Sequence, residues 1–302
     1  MNQPTGAAAP MPNFFVIGAN RAGTTSLHHY LSQHPQVYMS PVKEPNYFNP
    51  EAGREHPLWP NRATPAMTLE EYQALFAGVT GETAIGESST VYLTILGAPE
   101  RIRVAVPDAR LVALLRNPID RAFSDYSLHR SWGTESLSFA DAVTAELDHD
   151  GPVAGRMRGY VRTGFYGQSL TRYLEVFERA QLRVYLYEDL MSDPDALLRD
   201  LFGFLDVDLS TKVDTTARHN ASQFEAKHEA LARVTRVGAL RSATHRFVPR
   251  RARVKAREFL RRTNSVVPGF PDDIRRRLVE VYCDDIALTQ TIVGRDLSGW
   301  LR

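Results

Sequence analysis

The segment from Gly18 to Thr25 has the residue types that could bind a phosphate-like group. A short apolar run, Phe14 to Ile17, precedes it, and a helical pattern resumes at Gly23. Unpaired backbone N–H groups and the positive end of a helix dipole meet where a strand turns into a helix. Arg21 supplies a cation inside this turn. We therefore expect a strand, a turn and a helix N-terminus that together form an anion site.

The spacing of Gly18 and Gly23 matches the nucleotide-binding P-loop, which needs a lysine directly after its second glycine. Thr24 occupies that position here, and Arg21 lies two residues before Gly23. The turn is thus suited to a phosphate-like group but lacks the lysine of nucleoside-triphosphate hydrolases.

A second possible anion-binding pair follows a run typical of a buried strand, Leu111 to Leu115. Arg116 stands at the carboxyl end of that strand. Asn117 as N-cap and Pro118 as first helical residue then open a helix. Ser124 lies about two turns into this helix, so the side chains of Arg116 and Ser124 can reach one anion.

A carboxylate and a lysine are further candidates for chemistry. Glu87 ends a predicted strand, Ala84 to Gly86, at the edge where open α/β sheets place their ligands. For an isolated glutamate there, the pattern favours a helix N-terminal carboxylate that accepts hydrogen bonds from nearby amides. Lys43 lies in a segment that flanking prolines keep extended, and it could be either a solvated lysine or a site residue.

The elements that must position these residues alternate along the chain. Apolar runs at 14–17, 84–86, 111–115 and 182–187 predict strands, and amphipathic helices separate them. This order predicts an α/β fold with a central parallel sheet flanked by helices. Residues 1–12 read as a flexible tail and 13–302 as a single domain.

Composition limits the function classes. The chain of 302 residues has a net charge of +1, which gives no overall attraction to nucleic acid or membrane. Its single cysteine, Cys283, excludes an intramolecular disulfide and a cysteine-rich metal site. No apolar run reaches the roughly 18 residues of a membrane span. We expect a cytoplasmic protein.

The ordered motifs resemble those of sulfotransferases that use 3′-phosphoadenosine 5′-phosphosulfate (PAPS). In that family Lys or Arg, a small residue, Gly, Thr and Thr hold the 5′-phosphosulfate. Five residues match this pattern, with Arg in place of the commoner Lys: Arg21, Ala22, Gly23, Thr24 and Thr25. Arg116 and Ser124 resemble the family's 3′-phosphate motif, including the intervening Asn-Pro-x-Asp-Arg-Ala.

The resemblance also implies roles for the remaining candidates. Glu87, with Ser88, Ser89 and Tyr92, matches a family segment whose glutamate is the catalytic base. Lys43 matches a Lys-Glu-x-x-(Tyr/Phe)-Phe segment that enters the active site. Tyr187 lies near the nucleotide or is a core tyrosine. The family's adenosine-covering loop is not matched, and four residues are its nearest candidates: Arg218, Asn220, Ser222 and Phe224.

The sequence thus predicts a PAPS-dependent sulfotransferase that needs no metal and has a P-loop-like fold. Its acceptor would be a small molecule, carbohydrate, lipid or carrier-tethered group, chosen by the segments 49–67 and 131–162. Two alternatives stay open. A P-loop kinase or NTPase would need a Lys after Gly23, and a non-catalytic anion- or nucleic-acid-binding module would account for the basic stretch 233–262.

Overall fold

Five parallel strands form the central sheet, in the order β2-β3-β1-β4-β5. The strands are β1 Phe14–Gly18, β2 Val37–Met39, β3 Ala84–Ser88, β4 Arg110–Leu115 and β5 Leu182–Leu186. The computed structural model describes residues 10–50, 66–132, 134–149, 159–217, 225–226, 265–266 and 270–302. Two residues at 225–226 and two at 265–266 pair antiparallel as a separate ribbon.

The strands read as continuous apolar runs because both faces of the sheet are covered by helices. All five residues of β1 and all five of β3 are buried. The predicted strands agree with these bounds to within a few residues. The short β2, which pairs with β3 at the edge of the sheet, was not among the predicted strands.

Helices connect and cover the strands. Those of the described chain are α1 Thr24–Leu31, α2 Leu69–Ala74, α3 Ala98–Ala105, α4 Pro118–Trp132, α5 Phe139–Leu147, α6 Tyr166–Leu174, α7 Tyr187–Ser192, α8 Pro194–Leu205 and α9 Asp272–Val293. Short 3₁₀ turns lie at Thr90–Leu93, Arg162–Gly164, Arg179–Gln181 and Ser298–Leu301. Among the residues described, no helix combines the length and apolar character needed to cross a bilayer.

The C-terminal helix α9 is tied to α6 by a carboxylate. Asp285 accepts hydrogen bonds from the backbone N–H groups of Gly167 (2.9 Å) and Gln168 (3.0 Å). These N–H groups belong to the first turn of α6, where no intrahelical acceptor exists. Asp285 therefore caps a helix that is distant in sequence.

The sheet order brings the candidate motifs to one edge. Because β1 lies between β3 and β4, the carboxyl ends of these strands are neighbours. The glycine turn follows β1, Ser89 follows β3 and Arg116 follows β4, while Tyr187 follows β5 at the side of β4. An open α/β sheet binds its ligands at this edge.

Candidate active site

The turn between β1 and α1 has a backbone that few residue types can adopt. Arg21 and Gly23 both have positive φ, 65° and 94°. A Cβ on Gly23 would also lie 2.9 Å from Leu190 and 3.3 Å from the ring of Tyr187. Gly23 is therefore required both by its conformation and by the close approach of α7.

The structure brings three of the predicted anion ligands together at this turn. Arg21 Nε donates a hydrogen bond to Ser124 Oγ at 3.1 Å. Arg116 Nη1 donates to the carbonyl oxygen of Arg21 at 3.3 Å. The two sequence motifs, which lie about a hundred residues apart, thus form one cluster at the carboxyl edge of the sheet.

Tyr187 completes the cluster. The guanidinium carbon of Arg116 lies 4.9 Å from the centroid of the Tyr187 ring, within the range of a cation–π contact. The same ring contacts Gly23 across the turn. Tyr187 is thus half-buried between the glycine turn and Arg116 rather than part of the central core.

The other residues of the glycine motif lie at the start of α1. Ala22 is fully buried, and Thr24 and Thr25 are the first two residues of the helix. The N-cap residue is Gly23, which makes no side-chain cap hydrogen bond. The backbone N–H groups of a first helical turn point toward the turn that precedes it, where an anion can bind.

The electrostatics of the cluster favour an anion. Burial lowers the pKa of Arg21, and the positive charges of Arg116 and Arg121 lower it further, while Asp125 raises it. Like charges held together in a partly buried site are relieved by a bound anion. The cluster is therefore suited to a phosphate or sulfate group.

Glu87, the predicted base, is enclosed by hydroxyl groups. Its side chain is 0% exposed. Oε1 accepts hydrogen bonds from the hydroxyls of Tyr72 (2.8 Å) and Tyr92 (2.9 Å), and Oε2 accepts one from Ser89 (2.6 Å). Burial raises the pKa of Glu87 to about 7, against the opposing effect of the three hydroxyl donors.

This raised pKa makes a prediction about stability. A carboxyl whose folded pKa exceeds its unfolded value stabilises the fold below pH 4.5, and that contribution is lost as pH rises through about 7. Glu87→Gln can keep all three contacts, because its oxygen accepts from the two tyrosines and its amide donates to Ser89. Between pH 4.5 and 8 we expect wild type to lose about 3 kcal/mol relative to the variant. Urea unfolding of both proteins at the two pH values measures this, and parallel pH profiles would contradict it.

Lys43 is present at the site and is paired with its neighbour. Lys43 Nζ lies 2.7 Å from Glu44 Oε1, and the two side chains are 23% and 28% exposed. Glu44 also accepts hydrogen bonds from the backbone N–H and the hydroxyl of Thr90, both at 3.0 Å. The prediction that flanking prolines keep this segment extended is wrong at Glu44 and Asn46, whose φ values are positive, 63° and 56°. Glu44 joins the Lys43 segment to the turn that follows Glu87.

Glu44 is a functional candidate that the sequence reasoning did not select. Its carboxylate is the more accessible of the two glutamates, and its charge helps to raise the pKa of Glu87. The sequence feature that could have identified Glu44 is its place beside Lys43, between two prolines. We name the residues Lys43, Glu44, Glu87 and Thr90 the acidic wall.

His28 on α1 connects the glycine turn to this wall. Its Nδ1 lies 3.0 Å from Ser88 Oγ, next to Glu87. Burial lowers the pKa of His28 to about 4, with Lys43 and His29 adding to the effect. The ring is therefore neutral near pH 7.

Other candidates are either elsewhere or outside the described chain. His129, near the end of α4, is 5% exposed, since its ring packs against Tyr160 and its Nδ1 lies 2.9 Å from Thr134 Oγ1. The adenosine-loop candidates at 218–224, the basic stretch 233–262 and most of the segment 49–67 lie outside the described residues. In the described ranges, no group of three or more His, Cys, Asp or Glu residues is arranged to hold a metal ion.

Comparison with known proteins decides the family. A model of the Sulfotransferase family matches residues 12–211, more than half of the chain and the part that contains every motif of the cluster. The chain belongs to the sulfotransferase family.

A solved sulfotransferase from Alicyclobacillus acidocaldarius shares its fold. The two are 30% identical, with a TM-score of 0.73, over 97% of this chain and all of the other. The predicted α/β fold, a parallel sheet flanked by helices in P-loop-like sulfotransferase form, is confirmed.

Curated relatives are sulfotransferases of larger size. The bifunctional heparan sulfate N-deacetylase/N-sulfotransferase 2 of Bos taurus is 26% identical over 205 residues, which are 65% of this chain and 22% of that protein. Carbohydrate sulfotransferase 15 of Homo sapiens is 24% identical over 247 residues, covering 65% of this chain and 44% of that protein. The chain thus spans about a fifth of the length of the first of these relatives.

Proposed function

We propose that this sulfotransferase moves the sulfuryl group of PAPS to a hydroxyl or amine of an acceptor by in-line displacement. The observation that carries the proposal is the joining of the two anion motifs, in which Arg21 donates to Ser124 and Arg116 donates to the backbone of Arg21. A nucleotide with phosphate groups at both its 5′ and 3′ positions needs two such motifs at one site.

The residues present fit this cosubstrate. Arg21 and the backbone N–H groups at the start of α1 would bind the phosphosulfate. Arg116 and Ser124 would bind the 3′-phosphate, with Tyr187 beside Arg116. PAPS supplies the sulfuryl group. Arg21 faces the charge that develops on the departing phosphate, so it would stabilise the transition state electrostatically without a metal.

A carboxylate of the acidic wall would accept the acceptor's proton. The sequence predicts Glu87 for this role, and that assignment stays a prediction. Exposure supports Glu44 for direct contact with the acceptor, because the Glu44 side chain is 28% exposed whereas Glu87 is 0% exposed. Lys43, held by Glu44, would neutralise the transferred sulfuryl group.

The names of the relatives give an order in which to test the possible acceptor classes. The names of two relatives refer to heparan sulfate and to carbohydrate, so carbohydrate acceptors come first, with carrier-tethered, lipid and small-molecule acceptors next. The proposed reaction needs neither nucleic acid nor a metal ion. We propose that it takes place in the cytoplasm.

Calorimetric titration tests the nucleotide assignment. We expect 3′-phosphoadenosine 5′-phosphate, the product nucleotide, to bind much more tightly than ADP or ATP, with no change on adding Mg²⁺. Tight, Mg²⁺-dependent ATP binding would instead favour a kinase or NTPase, and weak binding of every nucleotide would favour a non-catalytic module.

Variants of Arg21 test the same site through activity. Arg21→Lys should keep much of the transfer from labelled PAPS, because a lysine also offers a positive donor to the phosphosulfate. Arg21→Ala should lose most of it, by about 10²-fold or more, since removing one donor to a developing anion typically costs that much. A fully active alanine variant would show that the turn is only structural.

A further inference from the structure

A buried carboxylate lies among the arginines of the nucleotide site and has no part in the reaction described above. Asp125 follows Ser124 on α4 and is 2% exposed. Its Oδ1 accepts a hydrogen bond from Asn20 Nδ2 at 3.1 Å, and Asn20 belongs to the glycine turn. Its Oδ2 lies 3.9 Å from Arg121 Nη1. Asp125 therefore connects the glycine turn to the interior of the protein.

Arg121 is a buried cation with few hydrogen-bond partners. It is 0% exposed, and its Nη2 donates to the carbonyl oxygen of Tyr160. Within the described chain, Nε and Nη1 of Arg121 have no hydrogen-bond partner. The carboxylates of Asp125 and Glu146 both act on Arg121 and help to balance a guanidinium group that water does not reach.

The same carboxylate acts on Arg21. After burial itself, Asp125 has the strongest influence on the pKa of Arg21, which it raises, while Arg116 and Arg121 lower it. Arg21 and Arg121 thus share the negative charge of Asp125. A phosphate bound at Arg21 or at Ser124 would be attracted by the arginines and repelled by Asp125, which directly follows Ser124 in the chain.

We propose that Asp125 is a built-in counter-anion of the arginine cluster, which holds the cluster together when no nucleotide is bound and weakens the binding of the phosphorylated product. This inference rests on the proposed function, because it takes the bound anion to be a phosphate group of PAPS or of its product. Asp125 is a positioning residue, since it acts on the nucleotide through charge and does not touch it. The repulsion between Asp125 and the bound phosphate makes release of the product nucleotide easier.

Removing the charge of Asp125 tests the proposal, because a counter-anion and a purely structural aspartate predict opposite changes in nucleotide affinity. Asp125→Asn keeps the shape and the oxygen that accepts from Asn20. At fixed ionic strength, 3′-phosphoadenosine 5′-phosphate should bind about three- to thirty-fold more tightly and dissociate more slowly, because a nearby repulsive charge is gone. A merely structural aspartate would give the opposite result, since its loss would loosen the turn and weaken binding.

Asn20→Ala is the matched control. It removes the hydrogen bond between the turn and Asp125 but leaves the charge in place. We expect no tightening of nucleotide binding in this variant. Weaker binding in both variants would overturn the proposal, as would unchanged affinity in Asp125→Asn.

A second pair of variants covers the case in which Asp125→Asn does not fold. Replacing a buried ion pair as a unit is often tolerated when the volume is kept. The double variant Arg121→Met with Asp125→Asn should bind the product nucleotide about three- to thirty-fold more tightly than Arg121→Met alone. Equal affinities would overturn the proposal.

The wild-type titration separates this inference from the one on which it rests. If wild type binds no 3′-phosphorylated nucleotide, both the proposed function and the counter-anion role are contradicted. If wild type binds it and neither comparison shows tightening, only the role of Asp125 is contradicted.

Discussion

Arg116→Ala should weaken binding of 3′-phosphoadenosine 5′-phosphate by about ten-fold to a few hundred-fold and leave ADP binding nearly unchanged. Charge-assisted hydrogen bonds contribute roughly 1.5–3 kcal/mol each, and the proposed partner of Arg116 is the 3′-phosphate, which ADP lacks. Calorimetric titration of both nucleotides against wild type and variant measures the ratio of affinities, which is the quantity of interest.

Arg116→Ala could also weaken nucleotide binding indirectly, and Ser124→Ala is the control for that effect. Arg116 also donates to the backbone of Arg21 and lies over Tyr187, so its loss could loosen the glycine turn. Ser124→Ala removes a second expected ligand of the 3′-phosphate without touching the Tyr187 contact. If Arg116→Ala weakens ADP and the product nucleotide by equal factors, while Ser124→Ala weakens neither, the 3′-phosphate assignment is wrong.

The central strands β1 and β4 could be predicted because they are buried on both faces. Such strands appear in the sequence as unbroken apolar runs, such as Phe14 to Ile17 and Leu111 to Leu115. The edge strand β2, Val37–Met39, has three residues with a half-buried centre. A run that short does not distinguish a strand from a loop, so its place in the sheet comes from pairing with β3.

The anion cluster could be predicted for a related reason. Arg21, Arg116 and Tyr187 each follow a strand or start a helix, Ser124 lies about two turns into the helix after Arg116, and parallel strands bring their carboxyl ends to one edge. The local spacing of these residues therefore predicted that segments distant in sequence meet at one edge of the sheet. It did not reveal that Arg21 and Ser124 bond each other, since that depends on how α4 packs against the glycine turn.

Charge balance and exposure could not be predicted from spacing. Asp125 reads in the sequence as one of many helical carboxylates, and only burial shows that it lies among arginines. Glu87 and Glu44 likewise look equivalent as acids near predicted turns. The three hydroxyls around Glu87 come from the turn after β3 and from α2, and no local pattern brings them together.

Glu44→Gln and Glu87→Gln should therefore differ in their effect on turnover. A positioned general base typically contributes about 10²–10⁴-fold. We expect Glu44→Gln to lose turnover by about that factor, because Glu44 is the more exposed carboxylate and pairs with Lys43. Glu87→Gln should lose less than about ten-fold, since its cage of hydroxyls can hold the amide. Single-turnover transfer of labelled sulfate from PAPS measures both.

The opposite result would restore the base predicted from the sequence. A large loss in Glu87→Gln with a small one in Glu44→Gln would show that the cage opens when acceptor binds and that Glu87, with its pKa of about 7, removes the proton. Nucleotide titration on the same samples must show unchanged affinity in either case, because neither glutamate belongs to the anion cluster.

The role of Glu44 as an anchor for Lys43 needs its own control, because the two side chains lie 2.7 Å apart. Lys43→Met removes the cation and leaves the carboxylate. If Glu44 is the base, the double variant Lys43→Met with Glu44→Gln should turn over about 10²–10⁴-fold more slowly than Lys43→Met alone. For an amine acceptor, raising the pH should also recover part of the loss in Glu44→Gln, since a deprotonated amine needs less help from a base. If the double variant is no slower than Lys43→Met, Glu44 serves only to hold Lys43, and the proton acceptor lies elsewhere on the acidic wall.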